Sequence, residues 1–345
     1  MRVQAGRAAT VCLTSVRPSQ ILFFLEGNLM KLQRLALAVA GAGMLAATAA
    51  SGPALAATQG EPTPSWAKSA AQQPSAKAVA EACVNTVIWP TVAGTVGVAE
   101  VTAAKPPRAD QYVPFNFAAD VRSMTTWYLA SNSSGTQDFA YGLFLQNGNL
   151  MRHTTVFPDE GDPRVTTTKV GAGWTAFKAV ATSNYNVAAP VHSYLYGLNT
   201  DGKLYRYAKN GTGYKNLGNF GGFAAFKALT VISETPTYDT LLMTTKAGAL
   251  YTIHIPITAA AKPVVKVIQA SGWSAFESLV TQRCGVRGGT LVVGIDHDTN
   301  TGYQYAFGKA NGKATVITSY GKVPATFDGV SHVAATWYKD QLIGE

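Results

Sequence analysis

The sequence predicts an all-β protein, a five-bladed β-propeller of four-stranded antiparallel blades closed by strands from both ends of the chain. Three observations predict it. One phrase recurs at a near-constant spacing. A β-hairpin pattern follows each occurrence. The last copy is incomplete, while unassigned strand-like segments stand before the first.

The phrase reads GWTAFKAV at 173–180, GGFAAFKAL at 221–229 and GWSAFESL at 272–279. Aligned on the second aromatic, Phe177, Phe226 and Phe276 are 49 and 50 residues apart. A further 51 residues lead to Phe327 in KVPATFDGV, and 60 residues before Phe177 stands Phe117 in YVPFNFAAD. Trp127 and Trp337 follow Phe117 and Phe327 by ten residues, each inside TWY, which ties the two outer copies together.

Between the anchors lie YGLFLQNGNLMRH (141–153), YGLNTDGKLYRY (196–207), LLMTTKAGALYTIH (241–254) and VVGIDHDTNTGYQYAF (292–307). Each is an apolar strand, a polar turn carrying Gly148, Gly202, Gly248 or Gly302, and an alternating strand. Glycine and asparagine tolerate the positive φ that tight hairpins require. A further β-rich stretch, such as KPVVKVIQA at 262–270, precedes the next anchor, and no helical period appears past residue 83. Each copy thus holds about four strands in about fifty residues, the dimensions of a propeller blade. Stacked blades bury each other's faces, and the anchor residues Phe117, Phe177, Phe226, Phe276 and Phe327 are expected between them.

The fifth copy is short. Residues 341–345 match only the second strand of a blade, and segments 84–92 and 94–102 are expected to supply the two strands it lacks. Closure of this kind leaves no unmatched terminal sheet.

Residues 1–56 read as a secretory signal peptide: a basic start at Met30, Lys31 and Arg34, an apolar stretch over 35–49, and a small-residue cleavage pattern before Ala57. Residues 1–29 precede that start and read as an over-long gene start. Residues 57–82, rich in Ala, Pro, Ser and Gln, read as a mobile lead-in, and 83–345 as the propeller domain. The leader carries five of the 28 basic and one of the 19 acidic residues, so the mature chain is left at +5. No run of Lys and Arg marks a nucleic-acid surface, and the apolar stretch is too short for membrane insertion. Cys12 leaves with the signal. Cys83, just before the closing strand, and Cys284, in copy four, remain as an even pair expected to form a disulfide across the closure.

Catalytic chemistry is weakly represented. The five histidines (153, 192, 254, 297, 332) are dispersed, and no nucleophile elbow, phosphate loop or zinc-protease helix is present. The reading is therefore no enzyme, no catalytic residues, no metal and no cofactor. The run from Asp296 to Gly302 invites a calcium loop, but Thr301 and Phe307 stand where such a loop needs glycine and a carboxylate, so a hairpin turn is expected. The sequons at Asn132 and Asn210 read as polar loops.

Gly173-Trp174-x-x-Phe177, Gly222-Phe223-x-x-Phe226 and Gly272-Trp273-x-x-Phe276, with Gly202-x-Leu204-Tyr205 and Gly248-x-Leu250-Tyr251, resemble the tachylectin-2 type of lectin across residues 84–345. The resemblance implies a five-bladed propeller that binds N-acetylated amino sugars. Two departures bear on it. The residues between the aromatics are small, and copies one and five carry Pro114 and Pro324 where the first aromatic belongs, so three sites are expected rather than five.

Trp174, Phe223, Trp273, Tyr205 and Tyr251 are the candidate carbohydrate-binding residues, because aromatic rings present a flat apolar face to a sugar. The competing role for the first three is to fill gaps between blades. The expected function is a secreted lectin whose several weak sites on one rigid ring give avidity toward cell-surface or cell-wall glycans. The first alternative is a scaffold that contacts other subunits of a secreted complex, such as the toxin particles of filamentous actinobacteria, whose peripheral subunits look like lectins. The second is an extracellular hydrolase.

Overall fold

The computed structural model describes residues 83–345 apart from 114, 160 and 259–261. The segments read as a signal peptide and lead-in, and Pro114, lie outside the described residues.

Among the described residues the chain is all strand and turn. It begins with β1 (Val84–Pro90), β2 (Val96–Thr102) and β3 (Arg108–Tyr112). Next come β4 (Val121–Met124), β5 (Trp127–Ser131), β6 (Gln137–Gln146), β7 (Asn149–Pro158) and β8 (Arg164–Ala172). Three regular meanders follow: β9 (Phe177–Tyr185), β10 (His192–Asn199), β11 (Leu204–Asn210) and β12 (Gly213–Phe220); then β13 (Phe226–Glu234), β14 (Tyr238–Thr245), β15 (Leu250–Pro256) and β16 (Val264–Gln269); then β17 (Ser278–Cys284), β18 (Gly289–Asp296), β19 (Thr301–Phe307) and β20 (Ile317–Lys322). The last strand is β21 (Val333–Trp337).

Each regular meander is a separate four-stranded antiparallel sheet. The remaining strands form a nine-stranded sheet, β3-β2-β1-β21-β5-β6-β7-β8 with β4 beside β6. It is two meanders joined where β21 runs parallel to β5, Ala335 opposite Trp127 and Trp337 opposite Leu129. The first strands make a circuit: β4 packs on β9, β9 on β13, β13 on β17, β17 on β21, and β21 returns to β5.

Burial follows strand position. Second strands are covered on both faces and read as continuous apolar runs, such as Leu241-Leu242-Met243 and Leu291-Val292-Val293, all at 0% exposure. Outermost strands read as polar and exposed, as in RVTTTKV of β8 and GYKNLGN of β12. Charged and polar side chains blunt these free edges against pairing with another molecule.

Closure departs from the sequence reading. The N-terminal segment supplies three strands, not two, and β21 alone supplies the fourth, with Val87 opposite Ala334 and Ile88 opposite Val333. Val87, Ile88 and Trp89 are buried, and this apolar run suits β1 to the doubly covered second position. Residues 341–345 are not a blade strand. They cross to β13, where Ile343 bridges Ser233, the Glu234 N–H donates to Leu342 O (2.8 Å) and the Gly344 N–H donates to Ile232 O (2.8 Å).

Cys83 and Cys284 form the expected disulfide, their Cα atoms 5.6 Å apart across a sequence separation of 201. It ties the strand that closes the sheet to the end of β17. Cys284→Ser should lower stability by up to about 5 kcal/mol, the loop-entropy value for a loop of this size. Denaturant unfolding of the oxidised protein and the variant measures it, and equal midpoints would show that strand pairing alone holds the closure.

Candidate functional site

The repeated phrase is a clasp between neighbouring sheets. The backbone N–H of Phe117 donates to Gly94 O (2.7 Å), Trp174 to Gly148 O (2.9 Å), Phe223 to Gly202 O (2.9 Å), Trp273 to Gly248 O (3.0 Å) and Phe327 to Asn300 O (3.0 Å). Every acceptor is a hairpin residue of the preceding sheet held at positive φ: 75°, 71°, 78°, 88° and 53° in that order. Gly302 was expected to make the fourth copy's turn, but Asn300 takes the left-handed position, as asparagine can. Gly302 instead lies in β19 against the Phe327 ring, 2.6 Å from where a Cβ would stand.

This pattern corrects the alignment of the outer copies. Phe117 and Phe327 occupy the place of Trp174, not that of Phe177. The Phe177 place in the first sheet belongs to Trp127, whose ring lies over Gly142 as Phe177 lies over Gly197, each 2.7 Å from an added Cβ. Aromatic spacing alone did not separate two positions that are three residues apart within one turn.

The sequence-predicted aromatics lie within the joints between sheets. Trp174, Phe223 and Trp273 are 6%, 3% and 2% exposed, so none presents an open ring face. Trp174 packs with Leu143, Leu145 and Leu150 of one sheet and Phe177, Val180 and Leu195 of the next. Phe223 joins Leu198 and Leu204 to Leu241 and Ile253, and Trp273 joins Leu242 and Leu250 to Leu279 and Val292. Tyr205 and Tyr251 are half-buried, each edge-on to the Phe of its own sheet at 5.4 Å from Phe177 and Phe226. These five residues are thus brought to three equivalent joints rather than to one site.

The joints differ in what they leave open. The Trp174 indole stands 5.0 Å from the Tyr207 ring at 42°, and Trp273 stands 4.8 Å from Tyr305 at 42°. The Trp273 indole N–H donates to Gln269 Oε1 (2.6 Å). Among the described residues nothing accepts the Trp174 indole N–H, which borders a cleft of about 220 Å³ lined by Gly171, Tyr207 and Tyr214. Tyr207 and Tyr214 keep their protons, because burial raises both phenol pKa values, that of Tyr207 to about 12. The cleft therefore offers an indole donor, two phenol hydroxyls and the apolar edge of Leu150. Tyr214 was not singled out in the sequence; its position opposite Lys209 across the β11–β12 hairpin was the available signal.

A second polar region lies where β9, β13 and β14 meet. Asp239, at 0% exposure, accepts from Ser183 Oγ (2.6 Å) and Tyr196 OH (2.7 Å) and lies 3.0 Å from His192 Nε2. Glu234, at 3%, accepts from the Asn184 N–H (2.8 Å) and Tyr128 OH (3.3 Å). Residues 341–345 cross beside it. Burial, reinforced by Asp239, raises the Glu234 pKa to about 7. These carboxyls sit in a closed hydrogen-bonded network. His153, 4.2 Å from Trp127 and at 0% exposure, is held neutral by burial, its pKa pushed down to about 3.

At the expected calcium-like run, Asp296 Oδ1 accepts from the N–H groups of Asp298 (2.9 Å) and Thr299 (3.2 Å), a side-chain-closed turn between β18 and β19. Among the described residues no three metal-binding side chains gather. Asn132 closes its own turn through Thr136, and Asn210 is exposed at the β11–β12 turn.

Structural comparison finds similarity to lectins and to a glycoside hydrolase. It is similar to the SapL1 lectin in complex with α-methyl fucoside (14% identity, 68% of this chain and 79% of that chain, TM-score 0.39). It is similar to the Aleuria aurantia lectin, a six-bladed propeller with a fucose recognition mode (12% identity, 74% and 83%, TM-score 0.41). It is also similar to the α-L-arabinofuranosidase of Podospora anserina in complex with cellotriose (11% identity, 65% and 80%, TM-score 0.42). No family model and no curated protein matches the chain. At these scores the likeness transfers neither a blade number nor a ligand.

Two outcomes test the joints. Trp273→Ala should cost about 3–5 kcal/mol, the range for emptying a buried aromatic site, read as a fall in denaturation midpoint. Glu234→Gln tests the buried carboxyl. A folded pKa of about 7 against 4.5 means the native state binds this proton more tightly. Its contribution is greatest below pH 4.5, declines as pH rises toward 7 and is flat above. The variant cannot titrate, so its stability relative to wild type should increase across pH 4.5–7, by on the order of 3 kcal/mol. Unfolding titrations of both proteins over that window measure the difference.

Proposed function

We propose that the protein is a secreted carbohydrate-binding lectin built on a five-bladed propeller, and that the Trp174 cleft binds an N-acetylated amino sugar. The circuit of first strands supports the five-blade reading, with the clasp occurring at five joints. One observation carries the ligand reading: the Trp174 indole N–H has no acceptor among the described residues and borders a cleft edged by tyrosines, whereas the equivalent Trp273 N–H is taken by Gln269. An acetamido carbonyl accepts from such a donor, and its methyl group fits against Leu150 and the Tyr207 ring. The partners on this reading are cell-surface or cell-wall glycans, bound without catalysis.

Trp174→Phe tests the reading. Phe223 fills the equivalent joint, so phenylalanine should keep the fold while removing the donor. The expected result is a melting temperature within a few degrees of wild type and an affinity for N-acetylglucosamine oligomers about tenfold lower, by titration calorimetry. Unchanged affinity with an intact fold would reject the cleft.

A further inference from the structure

On the other side of Tyr214, the first two blades enclose a second groove, in which Tyr141, Arg152 and Lys209 border two adjoining hollows of about 130 and 440 Å³. Its floor is aromatic: Tyr141 lies 5.9 Å from Tyr128 and 6.1 Å from Tyr338. β6 and β7, at ten residues each, run longer than the corresponding β10 and β11, at eight and seven, and their extension forms one wall.

Two features distinguish this groove from a packing defect. First, it holds unspent polar groups. Asn184 is only 8% exposed, yet its side-chain amide hydrogen-bonds nothing among the described residues. The Thr182 hydroxyl beside it is buried and also without a partner. A buried hydroxyl is normally satisfied, and leaving that of Thr182 unpaired costs stability. A ligand rich in hydroxyls would satisfy them. Second, its charge is one-sided. The Arg152 guanidinium donates to the Thr212 carbonyl (2.8 Å), Lys209 is exposed, and neither forms an ion pair among the described residues. Among the described residues no carboxylate lines either hollow. Burial keeps the Tyr141 phenol protonated, so nothing in the groove offsets these cations.

We propose that this groove is a binding site for a sugar carrying an anionic substituent, a carboxylate or a sulfate ester. The sugar ring lies against Tyr141 and Tyr338, its hydroxyls meet Asn184 and Thr182, and its anion sits between Arg152 and Lys209. The proposal rests on the lectin reading for ligand class but uses a different site, since neither cation touches the Trp174 cleft.

The test uses the full chain and three probes: trigalacturonate, its fully methyl-esterified form, and a sulfated galactose trisaccharide. Calorimetric titration should show binding of trigalacturonate, the sulfated sugar or both. The neutral ester should bind at least about tenfold more weakly, because charge-assisted hydrogen bonds are roughly twice as strong as neutral ones. Affinity should fall as salt rises. Lys209→Gln should lose about tenfold, and Lys209→Arg should retain binding. Whichever of the two anionic probes binds identifies the substituent. Equal affinity for acid and ester, no effect of Lys209→Gln, or binding of a glutamate-rich peptide in place of either sugar would overturn the proposal. Trp174→Phe separates the two sites. If it abolishes acidic-sugar binding while Lys209→Gln does not, the ligand belongs to the neutral cleft and this inference fails. If neutral-sugar binding is absent altogether, the anionic probes still report on the groove.

Discussion

Everything in this molecule depends on one hydrogen bond: the N–H of an aromatic residue reaching the carbonyl of a left-handed turn in the preceding sheet. A sheet face is apolar but directionless, and two twisted sheets can slide over one another. A backbone bond from turn to phrase fixes the offset. The aromatic side chain then enters the joint at a defined depth, between apolar residues of both sheets. Cations reinforce the same contact. Arg122 donates to the carbonyls of Thr175 (2.5 Å) and Trp174 (2.7 Å), Lys178 to Phe226 O (3.3 Å), and Lys227 to Ser274 O and Glu277 Oε1 (2.6 Å). The small residues between the aromatics follow from this geometry. Thr175, Ala224 and Ser274 lie against Gly148, Gly202 and Gly248, with under 3 Å to a Cβ added there.

Much of the fold was legible because it repeats. Strand number, hairpin positions and closure through the chain ends follow from a period of about fifty residues. What was not legible came from local substitution within the repeat. Asn300 makes the turn that glycine makes elsewhere, and Trp127 fills a place that phenylalanine fills in the three regular sheets. The tail at 341–345 matches the second strand of a blade in sequence, but β1 takes that covered position and the tail's backbone pairs with β13 instead.

The candidate site was only partly legible, for a physical reason. A buried aromatic and a ligand platform share residue type and spacing, and burial alone separates them. Sequence offered the joint as one of two roles for Trp174 and could not show that its N–H lacks an acceptor among the described residues, because Gln269, which takes that role for Trp273, is a single side chain with no counterpart signature. Tyr141, Asn184, Arg152 and Lys209 belong to four different strands, and no linear motif gathers them.

The joints of a symmetric ring need not remain equivalent. Phe223 has no indole donor, Trp273 spends its own within the protein, and residues 341–345 lie along β13. The long β6–β7 hairpin opens a groove between the first two blades. On the proposed reading, function concentrates at one joint, with a donor-lined cleft on one side of Tyr214 and a cationic groove on the other. A ring with one complete joint gains little avidity from its own repeats. Strong binding to a surface would then come from displaying several copies of the protein together, since effective concentration acts between sites that can be engaged at once. The repeat is retained by the clasp, which each joint needs in order to hold the circuit closed, whether or not that joint binds anything.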